Sequence, residues 1–109
     1  MKADQAALDG VFDALANERR REIVARLARG PLTTPEIGLH FGFTKQALSR
    51  HIDLLENAGL VSRTLHGRVH ELELIPRQLD TVERWLFELR RGWSGSLDRL
   101  GEVLRARKS

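Results

Sequence analysis

Apolar residues in this chain recur at helical spacing for most of its length and alternate over one short stretch. Leu8, Val11, Phe12 and Leu15 fall at steps of three and four, which predicts an amphipathic helix over 5–16. Asn17 can accept from a first-turn amide and Glu18 follows where the helix dipole favours a carboxylate, so a second helix is expected through Ile23, Val24, Leu27 and Ala28, stopping at Gly30–Pro31. Leu32–Thr33 reads as short and extended. Thr34 is then the expected cap of a brief helix that has Pro35 at its first position and ends at Gly42. Only Gly42 and Phe43 separate it from Thr44, the expected cap of a fourth helix. In that helix Ala47, Leu48, Ile52, Leu55 and Ala58 form one stripe, and Gly59 suits the left-handed residue that ends it.

After Gly59 the period falls to two. Leu60–Leu65 and Val69–Leu74 read as strands of a hairpin turning at His66–Gly67–Arg68. A His66–Gly67 loop would set Val61 opposite Leu72 and Arg63 opposite His70. Pro76 opens the last segment. There Leu79, Val82, Leu86, Leu89, Trp93, Leu97, Leu100 and Leu104 keep steps of three and four, close to a heptad seam. The residues before it are too few to cover so long a stripe. A second copy of the chain is the expected cover, helped by the apolar face of Leu8, Val11, Phe12 and Leu15. Gly92, Ser94, Gly95 and Ser96 are poor helix formers, which predicts a kink or break near 92–95.

The polar positions of the fourth helix give the pattern a direction. Opposite its apolar stripe, the first two turns carry Lys45, Gln46, Ser49 and Arg50. Arg pairs with guanine, Gln with adenine, and Lys and Ser reach phosphate, so a helix anchored on one face and bearing this set on the other can read a DNA groove. Two helices joined by a Gly-containing turn, the second with the reading face, have the form of a helix-turn-helix. Charge agrees: 18 basic residues, 15 of them Arg, against 15 acidic ones give a net +3 and a sequence pI of about 10.2. The run Arg19–Arg20–Arg21 reads as a solvated helical face with Glu18 and Glu22 as local partners.

Composition removes other functions. A chain of 109 residues predicts a single domain. With no cysteine there is neither a disulfide nor a thiolate metal site. No run reaches the length of a membrane span and the N-terminus lacks an apolar signal core, so a cytoplasmic protein that does not engage membrane is expected. His40, His51, His66 and His70 are scattered without helical pairing, and no metal or other cofactor is expected. No Gly-rich phosphate loop or Ser/His/Asp set is visible, and Glu71 and Glu73 share a strand face expected to meet solvent. An enzyme is therefore not expected.

The stretches LANERRREIVARLARGPLTTPEI, QALSRHIDLLENAGLV and RTLHGRVHELEL together resemble the ArsR family of winged-helix transcriptional repressors, over nearly the whole chain. The resemblance implies a mainly α fold with a small β-hairpin: one winged helix-turn-helix domain over 1–109, with the helix-turn-helix at 34–59, the wing at 60–75, and dimerisation helices at 5–16 and 76–107. It implies a homodimer that binds double-stranded DNA at an inverted-repeat operator. Gln46, Ser49 and Arg50 align with positions that contact bases and phosphates. Thr44, Lys45 and His51 align with flanking positions that face phosphate, and Arg68 sits at the wing tip beside His66, with Arg63 further along the wing. The dimer would close through Leu8, Val11, Phe12, Leu15, Leu79, Val82, Leu86, Leu89, Trp93, Leu97 and Leu100. Many family members sense metals through cysteines or through ligands on the terminal helix, and this chain has no cysteine and no His after residue 75. It is similar instead to cysteine-free members; a small-molecule effector, if used, is expected between the terminal helices and the body near Trp85 and Trp93. The alternatives are a protein-interaction module and a non-specific architectural DNA-binding protein. A docking face should be rich in aromatics and Met, and the polar face of the fourth helix has neither.

Overall fold

The computed structural model describes the backbone from Lys2 to Lys108 and the side chains of residues 5–93 and 99–106. Five helices and three strands run in the order α1 (Lys2–Leu15), α2 (Glu18–Leu27), β1 (Leu32–Thr33), α3 (Thr34–Phe41), α4 (Lys45–Asn57), β2 (Val61–His66), β3 (Val69–Leu74) and α5 (Arg77–Lys108). This is the expected mainly α winged helix-turn-helix.

Local chemistry sets the element boundaries. The Asn17 side chain accepts from the Arg20 amide and starts α2. The cap of α3 is Thr33, one residue earlier than expected. Glu36 lies at the third helical position from Thr33, so its carboxylate returns to the Thr33 amide and hydroxyl while the Thr33 hydroxyl accepts from the Glu36 amide. Those bonds hold the Glu36 carboxyl below the usual carboxylate range, the Thr33 backbone contact contributing most. Gly42 at φ 69° closes α3 and Gly59 at φ 75° follows α4, both in the left-handed region.

The wing departs from the expected register by two residues. Its loop is Gly67–Arg68, and His66 remains in β2 opposite Val69. Gly67 takes the positive φ at the first loop position, as a two-residue turn with Gly first requires. Val61 therefore faces Leu74, Arg63 faces Leu72 and Leu65 faces His70. A shift of two keeps every side chain on its expected face. Leu32–Thr33 adds a third strand, antiparallel to β3 at Leu72 and Glu71, giving the order β1-β3-β2. The Ile75 amide donates to the Leu60 carbonyl and ties the base of the wing to the end of α4.

One core joins these parts. Val11, Ile23, Ile37, Ile52, Leu55, Leu60, Val61 and Leu72 are each at most 1% exposed, so α1 to α4 and both wing strands contribute fully buried side chains, and Leu32 of β1 joins them at 8%. No polar side chain is buried whole among the described residues. Leu79 and Val82 pack the start of α5 onto this core, and Phe12 meets Trp85 edge-on at 5.7 Å between ring centres. From Trp85 onward every large apolar side chain described is 36–65% exposed. The expected break near 92–95 does not occur: α5 runs unbroken for 32 residues and the chain reaches 72 Å in length. Glycine weakens a helix without barring its dihedrals, and a break would sacrifice hydrogen bonds and require a second nucleation.

Candidate nucleic-acid interface

The candidate face is built on α4, which Leu48, Ile52 and Leu55 anchor in the core. The Thr44 hydroxyl accepts from the Ala47 amide at 3.1 Å, so Thr44 is engaged as the cap. With the stripe inside, Lys45, Gln46, Ser49 and Arg50 are exposed together along the first two turns. They line a shallow concavity of about 590 Å³ that continues to Asp53 and Leu54. The turn before the helix is braced. Phe43 lies under the Arg19 guanidinium at 4.7 Å and against the His51 ring at 5.1 Å, and Arg19 donates to the Phe41 carbonyl.

The arginine run of α2 has a structural task that its solvated reading missed. Arg20 donates to the carbonyls of Ala14 and Asp13, and Arg21 donates to that of Leu15. Two guanidiniums thus satisfy the last carbonyls of α1 and oppose its dipole. Arg20 also bonds the Nδ1 of His51 at 3.3 Å. Arginine has no acceptor, so Nδ1 must accept and the His51 proton sits on Nε2. Burial, then Arg20, Arg19 and Arg50, push the His51 pKa below its ordinary 6.5. His51 is therefore a neutral, half-buried group at pH 7 whose Nε2–H is left as its one ring donor.

The wing residues divide in the same way. Arg68 is exposed in the wing loop. His66 lies on the outer face with Nε2 3.6 Å from the Glu71 carboxylate. Arg63, expected to reach DNA, turns instead to α4. Its Nη2 lies 2.9 Å from Asp53 and 3.2 Å from Glu56. It fastens the wing to α4 and neutralises Asp53, the carboxylate that borders the candidate face. The sequence hid this pair because its partners stand on different elements.

The expected dimer residues also separate. Leu8 and Val11 lie buried within the chain itself, and Leu15, Leu79 and Val82 are half-buried against its core. Phe12, Leu86, Leu89, Trp93 and Leu100 remain exposed, and the side chain of Leu97 lies outside the described residues. Among the described residues, a groove of about 540 Å³ with a mainly apolar lining lies between α3, α4 and the wing. No helix of the described residues is long and apolar enough to cross a membrane.

Known proteins agree with this geometry. Residues 22–70, from α2 to the wing, match the MarR family. The chain is 31% identical over 96 residues to the HTH-type transcriptional regulator Rv2034 of Mycobacterium tuberculosis, covering 88% of this chain and 87% of that protein. It is 28% identical to the transcriptional repressor SdpR of Bacillus subtilis, over 72% of this chain and 88% of the repressor. The crystal structure of an ArsR family transcriptional regulator, RHA00566, superposes with a TM-score of 0.78 at 33% identity, covering 83% of this chain and 93% of that one.

Proposed function

We propose that this chain, which belongs to the helix-turn-helix transcriptional regulators, is a homodimeric repressor of the ArsR type that occupies an inverted-repeat operator. The observation that carries the reading is the face of α4. Four side chains suited to base edges and phosphates stand exposed on a core-anchored helix, and the adjacent carboxylate is neutralised by Arg63. A docking surface for protein would present aromatics or Met there. The 33% identity to an ArsR family regulator over 83% of this chain favours that branch, while the MarR family match covers only residues 22–70.

In the proposed mechanism Gln46, Ser49 and Arg50 read bases in the major groove. Lys45 and Arg68 hold phosphate, and Nε2 of His51 and the wing residue His66 add hydrogen bonds. The exposed stripe of α5, with Phe12, joins two copies and sets two reading helices one DNA turn apart, about 34–36 Å. Repression follows from occupancy of the operator. The protein acts in the cytoplasm, performs no reaction and needs no cofactor. Competition binding against single-base operator variants tests the division of labour. Arg50→Ala should relax preference at one base pair per half-site, a loss of about 1–3 kcal/mol in discrimination. Arg68→Ala should weaken all sequences alike. Uniform loss on changing Arg50 would refute its assignment to bases.

A further inference from the structure

We propose that Arg20 is a positioning residue for DNA recognition: by donating to Nδ1 of His51 it presents Nε2–H, the far side of that ring, to a backbone phosphate as a neutral hydrogen-bond donor. That role rests on the DNA-binding reading of α4; the geometry behind it does not.

Arg20 itself is held fast. It is half-buried, and three of its nitrogens meet three acceptors on two other helices. Nε donates to the Ala14 carbonyl at 2.6 Å, Nη2 to the Asp13 carbonyl at 3.3 Å, and Nη1 to Nδ1 of His51 at 3.3 Å. Ala14 is 4% exposed in the core, so the guanidinium stands on a fixed base. A planar guanidinium fastened at two corners has little freedom at the third. The other restraint on His51 is Phe43, whose ring lies 5.1 Å away at 50° and is itself covered by Arg19.

A free imidazole samples two neutral tautomers and, near neutrality, the cation. Here the Arg20 donor excludes the Nδ1–H tautomer, because two donors would face each other. The cation meets the same clash, and burial, then Arg20, Arg19 and Arg50, oppose it further. The charged groups acting on the ring are thus all cations, two from α2 and one from α4 itself. Nε2 has no partner among the described residues and is not sealed from solvent. His51 lies on the flank of α4 turned to α2, one residue after Arg50 of the exposed face. A neutral N–H there can bond phosphate without adding a further positive charge to the three arginines.

Imidazole ¹⁵N–¹H spectra of the labelled full chain, with His51 assigned by the loss of its signals in His51→Asn, read the tautomer directly. The wild type should show one pyridine-like and one pyrrole-like nitrogen at neutral pH, and Arg20→Met should average the two or move both toward the cation. A wild-type ring already averaged, or an Arg20→Met spectrum identical to the wild type, would overturn the proposal. Anisotropy titrations with a duplex recovered from a random library test the phosphate contact. In His51→Gln the amide nitrogen overlies Nε2 and affinity should stay within about two-fold; in His51→Asn it reaches only the Nδ1 position, and affinity should fall about ten-fold, the loss of a hydrogen bond to a charged group. The salt slope should not change, since a neutral donor releases no counterion. Equal affinities of these two variants, or a slope shallower by about 0.9 per half-site in His51→Asn, would overturn the neutral contact. Arg20→Met should weaken binding several-fold in the wild-type background and little in the His51→Asn background; equal losses would reduce Arg20 to a brace of α1. Should Arg20→Met fail to fold, the wild-type spectrum and the two His51 variants decide. Absence of duplex binding by the wild type would overturn the DNA reading and the phosphate role with it, while the tautomer stands as measured.

Discussion

Arg63→Ala separates two roles for the wing. Arg63 holds Asp53 at 2.9 Å and Glu56 at 3.2 Å, but both acids are largely exposed, at 58% and 41% of their side chains. Exposed pairs contribute about 0.2–1 kcal/mol each, so the substitution should cost roughly 0.5–2 kcal/mol of stability. Its effect on DNA works through Asp53, which borders the face of Lys45, Gln46, Ser49 and Arg50. Two unit charges about 8 Å apart in water interact by roughly 0.5 kcal/mol. A freed Asp53 near one or two phosphates should therefore lower affinity about two- to five-fold. Anisotropy titrations over a range of salt measure this, with the double variant Arg63→Ala, Asp53→Asn as the control. Restored affinity in the double variant is expected, because the repelling charge has gone. If the double variant stays as weak as the single one, and the salt slope becomes shallower by about 0.9, Arg63 contacts phosphate itself and the pairing argument is wrong.

Gly59→Ala places a Cβ at φ 75° and 3.1 Å from the Gln78 side chain. It should cost about 1–2 kcal/mol in urea melts; an unchanged midpoint would show that the turn relaxes freely. Replacing Leu89 and Trp93 by Glu should give monomers in sedimentation velocity. These side chains are 56% and 65% exposed, and burying each contributes roughly 1–2 kcal/mol, so four lost sites lower dimer affinity by three or more orders of magnitude. A dimer that survives would move the interface elsewhere. His51 is neutral in the fold because its pKa is lowered, so the unfolded chain takes up its proton more readily. Stability should be full above about pH 6.5 and fall as pH drops from there through the folded value. His51→Gln should flatten that fall, and an identical pH profile would exclude His51 as its source.

The reading helix was legible because its punctuation is local: Thr44 begins it, Gly59 follows it, and the stripe between them has helical spacing. The cap of α3 was placed one residue late, at Thr34, because Pro35 marked the helix start; a capping box needs its Glu three residues on, and Glu36 stands so only from Thr33. The wing register turned on a single loop residue, Gly67, whose place in the turn fixes all six pairs. Length was the difficulty in α5. Glycine lowers propensity at 92–95, yet the flanking turns carry the helix through. What sequence spacing could not supply were contacts between elements. Arg63 with Asp53, Arg20 with His51, and the groove shared by α3, α4 and the wing each arise only when distant stretches meet.

Selection of bound duplexes from a random library, at two salt concentrations, addresses DNA recognition by α4 most directly. Enrichment of an inverted repeat with half-sites one helical turn apart, together with weaker binding at the higher salt, is the predicted result. Salt-sensitive binding with no enriched sequence would contradict base reading by Gln46, Ser49 and Arg50, and absence of binding at either salt would contradict the DNA-binding account as a whole.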